Sequence, residues 1–348
     1  MNPTDQADDR CALNRRNILL AGAAVATTLA GAALIFAFAT LVPASAQQTS
    51  GASPAGAQPA PSQAAKAFQQ ELVAGAQQFA AKVDVAARAL ENNPRLKSLS
   101  HEQRKALIEF VAGNMLFAIN HELGHALVSE MGLPVLGKEE DAVDAYAVLV
   151  MLAIGDSVSE RVLNETVSGW FLDAKRNAVE GTRVPFYDAH SVDQRRAYDI
   201  ICLMVGSDPD KFAAAADSAQ MPADRQGTCA GDYSNASWSW TTVLRQHLRP
   251  ASHPKQKIEP KYGSGKGQYD DLAQAFRTIG MLELVAELAA DRYVWRRPIT
   301  IELQTCGTSN ADWDLNNHRI VVCYEMAADF ADLYRGYGLT PAPATKAK

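Results

Sequence analysis

The chain has no basic stripe. Its 33 lysines and arginines stand against 39 acids for a net charge of −6, and the two arginine pairs, Arg15-Arg16 and Arg195-Arg196, are isolated. Phosphate binding needs a clustered positive field, so a nucleic-acid partner is not expected. No Cys-x-x-Cys occurs among the five cysteines, which argues against a cysteine zinc site. Among seven histidines there is a single Glu-x-x-His, where a carboxylate-bridged di-iron bundle needs two. No internal repeat is visible. The rest is ordinary: 47% apolar and 21% charged over 348 residues, enough for one large domain or two small ones.

The N-terminus reads as a targeting segment. Asn14-Arg15-Arg16 leads into an uncharged apolar run from Ile18 to Val42, followed by Pro43-Ala44-Ser45-Ala46. Paired arginines before an Ala/Gly-rich stretch resemble a twin-arginine export signal, with cleavage expected after Ala46. The run is also long enough to anchor the chain in the inner membrane uncut. Either outcome places the remainder outside the cytoplasm, periplasmic or secreted. Removing the leader takes Cys11 and leaves Cys202, Cys229, Cys306 and Cys323, an even number in an oxidising compartment. Pairing Cys202 with Cys229 and Cys306 with Cys323 is favoured over the other pairings and over free thiols, because each pair brackets one local unit.

Residues 47–65 are Ala, Pro, Gln, Ser and Gly without apolar period and read as a tether. Residues 66–98 hold an Ala-rich helix closed by Asn93-Pro94, a packing element or an interaction arm. A helical part is expected over 99–250 and an α+β part over 251–338, with a linker around Arg249 to Lys257 and a tail over 339–348. Ser100-His101-Glu102-Gln103 has the form of a capping box opening a helix that Gly132 and Pro134 stop. A second helix runs from Lys138 to Ile154, antiparallel to the first across a short turn. Further helices are expected over Ser157 to Val179, Val192 to Val205 (behind a second capping box at Ser191), Asp210 to Ala219, Ala223 to Leu248, Asp270 to Asp291 and Glu325 to Tyr334. Ile299 to Gln304 and Arg319 to Cys323 read as two strands of a hairpin.

Chemistry gathers on the first long helix. In His121-Glu122-Leu123-Gly124-His125 the two histidines are four apart, so both imidazoles leave one face and can share a tetrahedral metal. Glu122 beside them is placed to take a proton from a water that zinc has acidified. Gly124 is expected to keep the helix surface open beside the metal. Leu116, Phe117, Ile119, Leu123, Ala126, Leu127 and Val128 mark the helix as buried, and buried histidines need a partner. A catalytic zinc needs a third protein ligand, and the next helix offers Glu139, Glu140 and Asp141. Acids there also complement a helix dipole with no metal at all. Glu140 is preferred, because it shares a face with Asp144, which would then orient a ligand histidine. His190, after Tyr187-Asp188-Ala189, is a candidate oxyanion contact or a plain loop residue. His101, His247, His253 and His318 read as surface residues.

The segments His121-Glu-Leu-Gly-His-Ala-Leu127, Leu133-Pro-Val-Leu-Gly-Lys-Glu-Glu-Asp-Ala142 and Val322-Cys-Tyr-Glu325 resemble a bacterial metallopeptidase family, formerly one of unknown function, as do Asp193-Gln-Arg195 and Cys202 to Pro209. The resemblance covers most of the chain after about residue 105. The segment from Cys306 to Glu325 usually precedes the zinc helix in that family and follows it here, so the order looks rearranged. Asn310-Ala311-Asp312-Trp313 resembles the substrate-pairing edge strand of thermolysin-like enzymes, or else is an Asn-rich turn. The resemblance implies a zincin-like α+β fold, mostly helical, with a small β-hairpin or sheet near the C-terminus. With the residue reading above it gives one zinc ion on His121, His125 and Glu140 and Glu122 as the catalytic base, and the resemblance implies a peptide or protein substrate. A competing reading is a non-catalytic exported envelope or binding protein with a structural or vestigial zinc.

Overall fold

Thirty-one residues, His101–Met131, form the first long helix, α1, and the rest of the fold is arranged around it. In the computed structural model residues 70, 74, 77, 78, 81–154, 157–182 and 186–338 are described. The expected leader (1–46), tether (47–65), first turns of the Ala-rich helix and tail (339–348) lie outside the described residues. The described part of the Ala-rich segment is a packing element: residues 81–89 are helical, and Val83, Ala86, Ala87 and Leu90 are buried.

The start of α1 follows the expected capping box. Ser100 accepts from the Gln103 amide, and the Gln103 side chain accepts from the Ser100 amide. Two otherwise unsatisfied amides are thereby paired. At the far end Gly132 takes a left-handed conformation, φ 63°, that a side chain would resist, and the chain turns back. The second helix, α2 (Glu139–Ile154), returns along α1. Where the two cross, a Cβ at Gly124 would stand 2.7 Å from Val143 Cβ. Gly124 therefore serves close helix packing, not an open surface beside the metal.

Helix α3 (Ser157–Glu180) packs on α1 and α4 (Asp193–Ser207) packs on α2 and α3. The second capping box does not form. Val192 is the N-cap, and the Ser191 hydroxyl donates instead to Asp141 at 2.8 Å. Asp208 caps α5 (Pro209–Ser218), with proline at the first helical position where its missing N–H costs nothing. The expected helix from Ala223 to Leu248 is broken at Gly227 and Thr228, leaving α6 as Cys229–Leu244. A disulfide joins Cys202 on α4 to Cys229 on α6.

The C-terminal part adds a four-stranded sheet in the order β1-β2-β4-β3, from β1 (Glu259–Tyr262), β2 (Thr300–Gln304), β3 (Ala311–Asp314) and β4 (Arg319–Cys323). Strand β1 was not expected; at four residues with a proline it carries little strand signal. Ile301 and Leu303, with Ile320 and Val322, are fully buried, the period-two pattern of a strand with one face on the core. The expected hairpin of β2 with β4 is corrected: these two run parallel, and β4 pairs antiparallel with β3. Parallel register sets Gln304 beside Cys323, so Cys306, just past β2, reaches it in the second disulfide. An antiparallel hairpin would hold those cysteines at opposite ends. Gly280, at φ 73°, divides the expected Asp270 to Asp291 helix into α7 (Asp270–Ile279) and α8 (Met281–Arg292). Helix α9 (Tyr324–Leu333) follows β4 and packs on α1. The architecture is α+β and predominantly helical.

Candidate metal centre

The α1–α2 hairpin brings three side chains to one point. His121 Nε2 lies 3.1 Å from Glu140 Oε2, His125 Nε2 lies 3.3 Å from the same oxygen, and the two Nε2 atoms are 3.2 Å apart. A tetrahedral ion with bonds of about 2.0–2.1 Å holds its ligand atoms about 3.3–3.4 Å apart, so the triangle has the size of one coordination face. Two imidazole lone pairs facing each other at this distance repel unless positive charge stands between them. Among the described residues these three form a set with metal-ligand spacing. Cys306, Cys323 and Glu325 also lie close, but both thiols are spent in the disulfide, and Glu325 accepts from the Cys306 and Gly307 amides.

Both rings are held from behind. Asp144 Oδ1 is 2.7 Å from His121 Nδ1, and Glu139 Oε1 is 2.7 Å from His125 Nδ1. A carboxylate on Nδ1–H leaves Nε2 as the lone-pair nitrogen, and here both Nε2 atoms point to Glu140. Of the three acids left open by the sequence, Glu140 stands at the converging point, Glu139 backs a histidine, and Asp141 accepts from Ser191. Asp144 is gripped in turn by Arg196, with Nε 2.7 Å from Oδ2 and Nη2 2.6 Å from Oδ1. The guanidinium carbon lies 3.8 Å from the centre of the Trp170 ring.

The electrostatics follow from this packing. Burial alone would push His121 and His125 down, but the carboxylates overcome it: Asp144 and Glu140 raise His121, and Glu140 and Glu139 raise His125 to about 9. The hydrogen bonds from His121, His125 and His190 hold Glu140 far below the usual carboxylate range. Burial would raise Asp144, yet His121 and Arg196 keep it lowered. These directions express one demand for positive charge at the centre, which protons or a divalent cation can meet. Glu122 differs. Burial pushes its carboxyl up, Asp312 and Glu140 add to this, and the His121 and His125 charges only partly oppose it. Its side chain makes no hydrogen bond among the described residues, and the residue as a whole is 7% exposed.

Two further neighbours reach the centre from outside the hairpin: His190, read from the sequence as an oxyanion contact or a loop residue, and Arg196, which sequence reasoning missed. His190 sits with Nε2 2.9 Å from Glu140 Oε2 and its ring stacked on His121, while Asp188 accepts from its backbone amide at 2.9 Å. Its spacing to Asp188 signals a local turn, but nothing local says that the loop meets Glu140. Arg196 carried no signal beyond its place in an arginine pair. His318, expected at the surface, is partly buried, 2.7 Å from Glu130 and 2.7 Å from Arg297. Strand β3 lies on the sheet edge against α1, where Trp313 Nε1 donates to Ser129 at 2.7 Å, one turn past His125.

No curated protein and no solved structure matches the chain. Residues 78–244 and 264–347 match a family described as "Putative metallopeptidase", a span that takes in the His121 to Glu140 cluster and β2 to β4. With well over half of its length matched, the chain belongs to this metallopeptidase family, which implies a metal and a peptide or protein substrate.

Proposed function

We propose that the protein is an exported zinc peptidase in which His121, His125 and Glu140 hold one zinc ion and Glu122 is the general base. The observation that carries this reading is the 3.1 to 3.3 Å triangle with a carboxylate behind each imidazole. Two imidazoles and one carboxylate are a borderline-soft set suited to zinc and leave a position for water or substrate. When bound there, zinc supplies Lewis-acid polarisation of the scissile carbonyl and an acidified water.

The remaining work falls to the chain. Glu122, on the same helix and without a hydrogen-bond partner among the described residues, takes the proton of the attacking water and then delivers it to the leaving amine. Its raised affinity for the proton suits that second role. The free edge of β3 offers backbone donors and acceptors to an extended peptide, which would run beside α1 past the metal. A structural zinc site has no use for a free carboxylate beside it, which weighs against a purely non-catalytic role.

Two disulfides support an oxidising compartment. No helix among the described residues is long and apolar enough to cross a membrane. Release after Ala46 would leave a mature chain free in the periplasm or medium, and retention of residues 18–42 would tether it to the inner membrane. The test is a generic peptidase assay on wild type and Glu122→Gln, with zinc measured in both. Equal zinc and lost hydrolysis are expected in the variant; retained hydrolysis removes Glu122 from the mechanism.

A further inference from the structure

We infer that Arg196 is a positioning residue of the metal centre, fixing Asp144 so that Asp144 fixes the His121 ring. The inference rests on the zinc reading above. Asp144 Oδ1 is shared: it lies 2.7 Å from His121 Nδ1 and 2.6 Å from Arg196 Nη2, while Oδ2 takes Arg196 Nε at 2.7 Å. Two parallel bonds from a planar fork set the plane of a carboxylate as well as its place. The fork is itself fixed, with the Arg196 side chain 9% exposed and its guanidinium carbon 3.8 Å from the centre of the Trp170 ring. His121 is thereby tied to α4, outside the hairpin that carries His121, His125 and Glu140.

The two histidines are not treated alike. Glu139, behind His125, is 44% exposed on its side chain and has no cation partner among the described residues. Asp144, by contrast, is 13% exposed on its side chain, has both oxygens taken by Arg196, and borders a cavity of about 290 Å³ that Arg195 and Arg225 also line. The Arg196 fork holds the Asp144 carboxylate on His121 and keeps it from turning toward that cavity. Loss of a partner behind a ligand histidine weakens metal binding about 10–100-fold.

The experiment is a chelator-competition titration of zinc and cobalt on wild type, Arg196→Met, Arg196→Lys, Asp144→Asn and the Arg196→Met/Asp144→Asn double variant. Thermal melts and the visible spectrum of the cobalt forms are recorded alongside. Arg196→Met should weaken metal binding about 10–100-fold and alter the cobalt spectrum, and Arg196→Lys, with charge but no fork, should recover only part. In the Asp144→Asn background the Arg196→Met change should add little, since the effect runs through Asp144. Should Arg196→Met not fold, the lysine variant and the double variant, which leaves no unpaired charge, carry the same expectations. Wild-type affinity and spectrum in a folded Arg196 variant, or additive losses in the cycle, would overturn the inference. A wild type that binds no metal would instead overturn the zinc reading.

Discussion

Replacing Gly124 by alanine should loosen the metal centre while leaving the protein folded. The added Cβ would stand 2.7 Å from Val143 Cβ and 2.9 Å from its Cγ1. Carbon pairs rest at about 3.5–4.0 Å, so α1 and α2 would have to part by about 1 Å at this crossing. Val143 lies beside Asp144 and one turn after Glu140, so the displacement reaches both acids that face His121. Metal sites tolerate about 0.2 Å in their ligand distances, and a shift of this size should cost at least about tenfold in zinc affinity, or about 1.4 kcal/mol. Folding stability should change less. Overpacking costs about 1–3 kcal/mol, and exchanging glycine for alanine inside a helix returns about 1 kcal/mol. Chelator competition measures the affinity, and urea unfolding of the metal-free protein measures the stability. Adding Val143→Gly should restore zinc binding, because it removes both the Cβ and the Cγ1 that the new Cβ meets. Wild-type affinity in the Gly124→Ala protein, or no recovery in the double variant, would refute the claim that this contact sets the spacing of the site.

Other consequences lie away from the metal. Burial, with Glu109 nearby, raises Glu165 from 4.5 to about 7. The folded state then holds this proton more tightly than the unfolded chain, so the contribution to stability is complete below about pH 4.5 and is lost as pH rises through 7. Glu165→Gln should flatten that decline and leave the variant about 1–3 kcal/mol more stable than wild type at pH 8, read from urea midpoints across pH 4 to 8; an unchanged slope would contradict the assignment. Cys306→Ser/Cys323→Ser opens a bridge spanning 17 residues, and loop-closure entropy sets its loss at about 3 kcal/mol. Since β3 leads from that loop, hydrolysis of an extended peptide should suffer more in KM than zinc content does, and a fall in zinc with KM unchanged would count against β3 as the substrate strand.

The first helix was legible because its signals agree: a capping box, apolar residues recurring from Leu107 to Met131 and a glycine stop. Once that helix and the short turn after it are accepted, a partner returning near His125 is a matter of geometry, and Glu140 arrives where the hairpin length puts it. Gly124 was misread because periodicity shows which residues are buried but not which neighbour meets them. His190 and Arg196 reach the centre from other helices and loops, and no local pattern records such contacts. The sheet carried an inconsistency visible beforehand. A β2–β4 hairpin would have separated Cys306 from Cys323, so the favoured disulfide already argued for parallel strands. Gly280, left-handed at φ 73°, ended a helix within a stretch whose apolar period continued across it, where one backbone angle outweighs a pattern of side chains.

The most direct measurement of the central claim is a zinc-edge anomalous diffraction experiment on the purified, metal-loaded protein. The account predicts one ion per chain, about 2.0–2.2 Å from His121 Nε2, His125 Nε2 and a Glu140 oxygen, with Glu122 close by but not bound. An ion seated on Glu139 or Asp141 in place of Glu140, a site closed by Glu122 as a further ligand, or no ion at the hairpin would contradict it.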